Sequence, residues 1–265
     1  MKKFNYIFSL FLLGILFTAC KKNSFSVKEN TFIEGQASLK VNYFSPTQAR
    51  PSYQIKIDGN RVSNNLTYPT PFPGGGINTG GSSFADYLAV APGSRKIDIS
   101  IPNVGTNLDS VVLATATVDL AANKVYSLYF VDTAANLTSI LLEDDLTSPD
   151  SGFVKYRFIN LMPDLAAGLD LYFGTGVTST TSVKVAGPVL YKQNSEYFTV
   201  PINTGTVWSI RPGGALATST AITSFTNANT VINQRVYTVF VRGYSTITAP
   251  ATDGRIRAIS FIFNR

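Results

Sequence analysis

Two segments decide the fold, because they repeat one pattern 111 residues apart (Tyr237 against Tyr126): Val125-Tyr126-Ser127-Leu128-Tyr129-Phe130-Val131 and Val236-Tyr237-Thr238-Val239-Phe240-Val241. Aromatic and β-branched residues dominate both segments, and these residue types favour β-strands. Apolar side chains occupy both alternating sets of positions. Each segment is therefore predicted to be a central strand covered on both faces.

Two further blocks recur in the same order. Residues 84–92 are similar to residues 195–201, with Tyr87 matching Tyr197. Residues 39–46 match residues 154–160 more loosely, with Leu39 opposite Val154 and a short insertion before Pro163. Three ordered blocks at nearly constant spacing predict a duplicated domain of about 110 residues.

Each copy has the pattern of an all-β domain. Ile97, Ile99 and Ile101 alternate with polar residues, which places them on one face of a strand. Asp58-Gly59 between apolar runs indicates a tight hairpin, since glycine adopts positive φ at little cost. We count about seven strands per copy. The chain is predicted to form two tandem immunoglobulin-like β-sandwich domains, residues 36–146 and 147–265, joined at a polar segment that contains Pro149 and Gly152.

Cys20 is the only cysteine in the 265 residues, so it has no disulfide partner within the chain. It follows Lys2-Lys3, an apolar stretch from Phe4 to Phe17 and the small residues Thr18-Ala19, the three-part design of a secretory signal. The segment resembles a bacterial lipoprotein signal, although Phe17 stands where leucine is usual. The resemblance implies removal of residues 1–19, lipid attachment at Cys20 and a linker over residues 20–35. A plain cleaved signal and an uncleaved anchor remain alternatives.

This N-terminus predicts a location and one partner. The protein is expected in the bacterial cell envelope, held to a membrane by N-terminal acyl chains. Lys21 next to the cysteine resembles sorting to the outer membrane, and the side of that membrane stays open.

The second half of the chain carries a family resemblance. Its residues are Tyr156-Arg157-Phe158-Ile159-Asn160, Pro163-Asp164, Leu169-Asp170-Leu171-Tyr172 and Val200-Pro201. They resemble the bacterial domain of unknown function 4397, and the first copy keeps Ser45-Pro46 and Asp58-Gly59 from the same pattern. The resemblance implies secreted or envelope-attached β-sandwich modules, present here in two copies, without an established molecular role.

Composition argues against several classes of function. The sequence has no histidine, so it offers no Ser-His-Asp triad, no imidazole metal ligand and no base for a cysteine nucleophile. Removing residues 1–19 lowers the formal charge from +6 to +4, spread along the chain, which argues against nucleic-acid binding. We predict a non-enzymatic binding or structural-interaction module without a cofactor, whose partner is an envelope protein or a glycan.

A carbohydrate-binding or carbohydrate-active accessory domain, using loop aromatics and carboxylates, is the alternative. Residues 68–83 form a long irregular insertion in which Tyr68 and Phe72 either contact a ligand or cap the end of the sandwich. Trp208 is expected in the core. Glu143-Asp144-Asp145 is expected at a solvated strand end, with calcium binding together with Asp150 as the alternative.

Two short segments concern modification. Asp109-Ser110-Val111 and Asp132-Thr133-Ala134 resemble an Asp-Ser/Thr-apolar acceptor used for O-glycosylation of bacterial envelope proteins. They make Ser110 and Thr133 candidate glycosylation sites.

Overall fold

The computed structural model describes residues 33–80, 86–103, 106, 108–133, 136–178 and 180–265. The predicted signal peptide, Cys20 and most of the linker lie outside these residues. The folded body, Phe32–Arg265, forms one compact unit.

The regular secondary structure of the described residues is almost entirely β-strand. The first sandwich contains β1 (Ala37–Tyr43), β2 (Ser52–Ile57), β3 (Asn60–Arg61), β4 (Leu66–Thr67), β5 (Leu88–Val90), β6 (Gly93–Pro102), β7 (Asp109–Leu120), β8 (Val125–Val131) and β9 (Thr138–Glu143). The second contains β10 (Phe153–Leu161), β11 (Leu169–Gly174), β12 (Ser182–Val189), β13 (Phe198–Pro201), β14 (Val207–Pro212), β15 (Thr223–Thr226), β16 (Val236–Arg242) and β17 (Ala258–Phe263), with one short 3-10 helix, Ala228–Thr230.

The two sandwiches repeat one topology. Their first sheets have the orders β5-β1-β8-β9 and β13-β10-β16-β17, each with a central parallel pair, β1 with β8 and β10 with β16. Their second sheets have the orders β3-β2-β6-β7 and β12-β11-β14-β15. The predicted all-β class with two β-sandwiches is confirmed. The count of seven strands was low, because β3 and β4 are two-residue strands that carry little sequence pattern.

Strand register corrects the predicted match between the two openings. Leu39 pairs with Tyr126, and Tyr156 pairs with Tyr237, so Leu39 is equivalent to Tyr156 and not to Val154. A shift of two residues keeps every side chain on the same face of the strand, so the sequence pattern does not distinguish the two registers. In the corrected register Pro46 matches Pro163 without an insertion.

Each sandwich encloses its own apolar core. Trp208, with no exposed surface, lies in the core of the second sandwich, as predicted. The turn at Asp58 and Gly59, both with positive φ, joins β2 to β3 as the hairpin signal indicated. The acid-rich junction predicted between the domains falls between the end of β9 and the start of β10.

The central strands β8 and β16 are buried on both faces, as their sequences predicted. One face of each strand lies on its own sandwich core. The other face packs against the neighbouring sandwich, which the periodicity alone did not reveal. Among the described residues, no helix is long and apolar enough to cross a membrane.

Candidate functional site

The two sandwiches meet through the outer faces of the sheets that contain the parallel pairs. A third apolar cluster lies at this junction, and within it Phe44 stacks on Phe240 with ring centroids 4.4 Å apart. Its other buried members are Tyr129, Val131, Ile159, Leu161 and Ile262. Stacked aromatic pairs stabilise by roughly 0.5–1.5 kcal/mol beyond the area they bury. This cluster joins the two sandwiches into a single unit.

A buried ion pair between Arg157 and Asp144 lies at the same junction, with side-chain exposures of 3% and 0%. Oδ2 of Asp144 also accepts hydrogen bonds from the Tyr87 hydroxyl at 2.9 Å and the Ser127 hydroxyl at 2.6 Å. A buried carboxylate is costly unless it is both charge-paired and hydrogen-bonded. The network therefore fixes the chain where it leaves β9.

Two contacts across the junction are reciprocal. Nζ of Lys40, on β1, donates to the carbonyl of Phe263, on β17, at 2.6 Å. Arg157, on β10, donates through Nη1 to the carbonyl of Glu143, on β9, at 2.9 Å. In the corrected register Lys40 is equivalent to Arg157 and Glu143 to Phe263. The junction thus has an internal pseudo-twofold relation in which each sandwich offers the other the same cation-to-carbonyl contact.

Burial shifts the titration of this cluster. Desolvation lowers the pKa of Lys40 from 10.5 to about 8, and the negative charges of Asp144 and Asp86 only partly oppose it. Desolvation acts in the same sense on Arg157, but the charge and hydrogen bond of Asp144, together with Tyr129 and Tyr197, outweigh it and raise the pKa of the guanidinium. Burial raises the pKa of Tyr87 well above its usual value, and Asp144 adds to the effect. At neutral pH Tyr87 is therefore a neutral hydrogen-bond donor.

The charged residues of the cluster are buried in this structure. Lys40, Asp144 and Arg157 are 0%, 6% and 3% exposed, so an external molecule does not reach them in this structure. Their hydrogen bonds are made to other parts of the same chain.

At the end of β9, Glu143 and Asp145 are exposed, as expected of a solvated strand end, but Asp144 is not. Asp144 is buried and not solvated, and it is committed to Arg157. Asp145 pairs with Lys155, and although partial burial acts in the opposite direction, hydrogen bonds from Lys155 and Thr147 lower the pKa of Asp145 to about 2. The described residues contain no group of three or more metal-ligating side chains placed to hold an ion.

The long insertion forms an arm, residues 68–80, that reaches from the first sandwich to the second. Ile77 bridges to Ile262 of β17 in the antiparallel sense. The hydroxyl of Tyr237 donates to the Gly80 carbonyl at 3.3 Å. Gly75 and Gly76 both have positive φ, a conformation that glycine adopts at little cost, and they form the bend of the arm.

Tyr68 and Phe72 are not available as external contacts in this structure. They are 2% and 7% exposed and belong to the core of the first sandwich. The Tyr68 hydroxyl donates to the carbonyl of Gly254 in the second sandwich at 3.2 Å. The interpretation of these rings as a ligand-contact loop is corrected, because the segment turns inward and its partner is the same chain.

Asn78 is the main polar anchor of the arm, and replacing it by alanine is expected to lower the free energy of unfolding by about 2 kcal/mol. Its N–H donates to the carbonyl of Phe261 at 2.9 Å, and its Oδ1 accepts from the Phe261 N–H at 2.8 Å. Alanine leaves the Phe261 N–H without its side-chain acceptor. It must also adopt a φ of 60° without the short polar side chain that helps asparagine to tolerate this conformation. Urea denaturation measures the effect.

An Asn78→Gly variant is the matched control, because glycine accepts positive φ but also lacks the amide. If the alanine variant were as stable as the natural chain, the arm would not be an anchored strap.

A cleft of about 490 Å³ opens on the second sandwich beside β12 and β13. Phe173 and Val200 are buried in its floor, while Thr181 and Thr204 supply hydroxyl groups. All of its lining residues are uncharged. The volume lies within the range of small-molecule sites, and the hydroxyl groups suit a neutral polar ligand. Sequence reasoning missed this cleft, and the cluster of threonines around residue 180 was its only signal.

The other predicted sites stay predictions. Ser110 is exposed on β7, where its hydroxyl donates to the Ile101 carbonyl at 3.2 Å. Thr133 is half-buried just after β8. Cys20 lies outside the described residues.

The carboxyl groups with a shifted pKa do not have the raised value expected of a general acid. Among the described residues, each carboxyl with a shifted pKa has a lowered one, and these groups are Asp58, Asp109, Asp132, Asp145 and Asp253. General acids that work at neutral pH need raised values.

Residues 37–172 match the family described as Domain of unknown function (DUF4397). The chain belongs to the DUF4397 family. The match begins at the first residue of β1 and ends within β11, so it covers the whole first sandwich and the start of the second. No curated protein matches this DUF4397 chain.

Several solved structures show a distant likeness. A family CBM26 module from Eubacterium rectale Amy13K, in complex with maltoheptaose, is 11% identical over 81% of this chain and 99% of its own, with a TM-score of 0.22. A "putative cell adhesion protein" from Bacteroides uniformis is 10% identical over 87% of this chain and 97% of its own, with a TM-score of 0.20. One of the same description from Bacteroides fragilis is 10% identical over 88% and 98%, with a TM-score of 0.21. At these scores the likeness supports no functional conclusion.

Proposed function

We propose that this DUF4397 chain is a non-enzymatic binding or structural-interaction module of the bacterial envelope, anchored by acyl chains on Cys20. The observation that carries the proposal is the sealed junction between the sandwiches, where Arg157 and Asp144 lie buried beside a shared apolar cluster. The charged side chains that are most strongly perturbed serve to join the two halves. On its outer surface the chain presents strand edges and an uncharged cleft.

The mechanism is tethering with recognition. Two acyl chains or more give stable membrane attachment, and the residues between Cys20 and the first strand act as a spacer. Lys21 next to the lipidated cysteine favours the outer membrane. The partner is an envelope protein or a glycan.

We further propose that the second sandwich is a second copy of the family domain. The identical strand orders of the two halves and the equivalent pairing of Tyr126 and Tyr237 support this duplication.

The carbohydrate alternative gains no support from a specific observation. Tyr68, Phe72 and Trp208 are all buried, so these three rings offer no stacking platform to a sugar.

The experiment that tests the anchoring is a Cys20→Ser variant expressed in a bacterium that makes lipoproteins. The natural chain is expected in the membrane fraction, and the variant in the soluble fraction or as uncleaved precursor, because serine cannot form the thioether to diacylglycerol. Ser24→Ala, a nearby hydroxyl change, is the matched control and is expected to stay with the membrane. Equal distribution of the natural chain and the Cys20→Ser chain would contradict lipid anchoring.

Two measurements refine the same proposal. Protease treatment of intact cells reports which side of the membrane the body faces. Intact mass of the mature chain equal to lipid plus polypeptide would reject O-glycosylation at Ser110 and Thr133.

A further inference from the structure

Strands β9 and β17 occupy equivalent positions. Each is the outermost strand of its sheet, β9 beside β8 and β17 beside β16. Glu143 pairs with Tyr126 and Phe263 with Tyr237, so Leu141 is equivalent to Phe261. The two strands therefore have equivalent positions and register, so their outer edges differ in which segments pack against them.

The outer edge of β17 is covered by the arm. Asn78 exchanges two hydrogen bonds with the backbone of Phe261, one through its own N–H and one through Oδ1, while Ile77 lies opposite Ile262. On this strand Ile259, Phe261 and Phe263 lie in the second core and Ile262 in the junction cluster, and each is no more than 2% exposed. The pairing of the arm with β17 is intramolecular strand addition by a short extended segment.

The outer edge of β9 has no such cover in the part of the chain that the structure describes, where β9 pairs only with β8. The Asp144 N–H donates to the Val125 carbonyl, so by antiparallel alternation the backbone groups of Leu141 and Ser139 point away from β8. Ile140, Leu141 and Leu142 are half-buried, unlike their counterparts on β17. An edge with unpaired backbone groups and apolar side chains is a template for another strand.

We propose that the outer edge of β9 binds an extended peptide segment of a partner protein by strand addition. The segment carries an apolar residue that packs over Leu142, followed by an asparagine-like residue that bonds the backbone of Leu141, as Ile77 and Asn78 do on β17. This inference deepens the proposed binding function and rests on it.

The edge suits a short segment better than a second copy of β9. Arg157 already occupies the Glu143 carbonyl, which shortens the free edge to the outward groups of Leu141 and Ser139. Pairing of two β9 strands about a twofold at Leu141 would need the Glu143 carbonyl opposite Ser139 of the other copy.

The test uses a synthetic peptide with the sequence of residues 73–80, Pro-Gly-Gly-Gly-Ile-Asn-Thr-Gly, added to the mature chain. Amide chemical shifts are read by NMR. Saturable shifts at Ser139 and Leu141 are expected, whereas shifts confined to β17 would mean displacement of the natural arm and would overturn the proposal. A peptide with Ile-Asn replaced by Gly-Gly is the matched control and is expected to bind about tenfold more weakly, since it lacks both contacts.

Variants Leu141→Pro and Ser139→Pro test the edge itself. Proline is tolerated where an edge N–H faces outward, and Ser139 is exposed, so its replacement costs no packing. Each variant that keeps the natural circular dichroism spectrum is expected to bind the peptide about tenfold more weakly. Unchanged affinity in Ser139→Pro, or no shifts on β9 at millimolar peptide, would overturn the inference.

Two outcomes separate this inference from the broader proposal. If an envelope partner bound Ser139→Pro as tightly as the natural chain, the binding function would stand and the β9 site would be wrong. If sedimentation showed a dimer that Ser139→Pro abolished, the occupant would be a second copy and the partner assignment would be overturned.

Discussion

An Arg157→Met variant is expected to lose about 3–5 kcal/mol of unfolding free energy, because it leaves the Asp144 carboxylate buried without its counter-charge. Among the described residues, the hydroxyl groups of Tyr87 and Ser127 stay as its side-chain donors, and the Glu143 carbonyl also loses the hydrogen bond from Arg157. Urea denaturation measures the loss with two probes. Fluorescence of Trp208, the only tryptophan, reports the second sandwich, while far-UV circular dichroism reports both.

The two probes should give coincident transitions in the natural chain, since the shared junction couples the sandwiches, and separate transitions in Arg157→Met. Adding Asp144→Asn to this variant is expected to recover part of the loss, because it removes the stranded charge. Arg95→Met is the matched control. Its partner, Asp58, is 39% exposed, so the change is expected to cost less than about 1 kcal/mol. Equal losses in the two arginine variants would show that the buried pair does not hold the junction.

As the pH rises from 7 to 10.5, the unfolding free energy of the natural chain is expected to increase by about 3 kcal/mol more than that of Lys40→Met. Burial lowers the pKa of Lys40 from 10.5 to about 8 in the folded state. Between these values the unfolded chain binds the extra proton, so stability rises with pH across this window. Below about pH 8 both states carry the proton and the full cost of the buried charge is present. Urea denaturation at a series of pH values measures the difference between the two curves.

Lys96→Met provides the comparison, because the Lys96 side chain is 57% exposed and its removal should leave the slope as in the natural chain. Parallel curves for the natural chain and Lys40→Met would mean that the buried amine does not titrate in this window. A slope that persists in Lys40→Met would assign the effect to another group.

The central strands could be predicted from sequence because their periodicity is unusual. In β8 and β16 apolar side chains occur in both alternating sets of positions, so both faces of each strand are expected to pack against other parts of the protein. The sequence could not show what supplies the second cover. Lys40 and Arg157 alternate with apolar residues on β1 and β10, which is also the pattern of a strand with one solvated face.

The sequence also predicted the arm only in part. Its length and its glycine and proline content indicated an irregular insertion with a role. Whether Tyr68 and Phe72 would face a ligand or the protein depended on where the second sandwich lies, and local sequence carries no signal for that position. The groups around Asp144 could not be predicted either, since Tyr87, Ser127 and Arg157 lie on three separate segments that only the fold brings together.

The sequence by itself determined the all-β class, the repeat and the inward position of Trp208, because these depend on hydrophobic periodicity within single strands. It also carries the lipoprotein-like signal ending at Cys20. Only the tertiary structure decided that the two sandwiches share a buried junction, that the arm covers β17 and that β9 pairs with β8 alone among the described residues. Those features depend on which faces of separate strands meet, and the free energy of such contacts belongs to pairs of residues distant in sequence, so no single segment contains it.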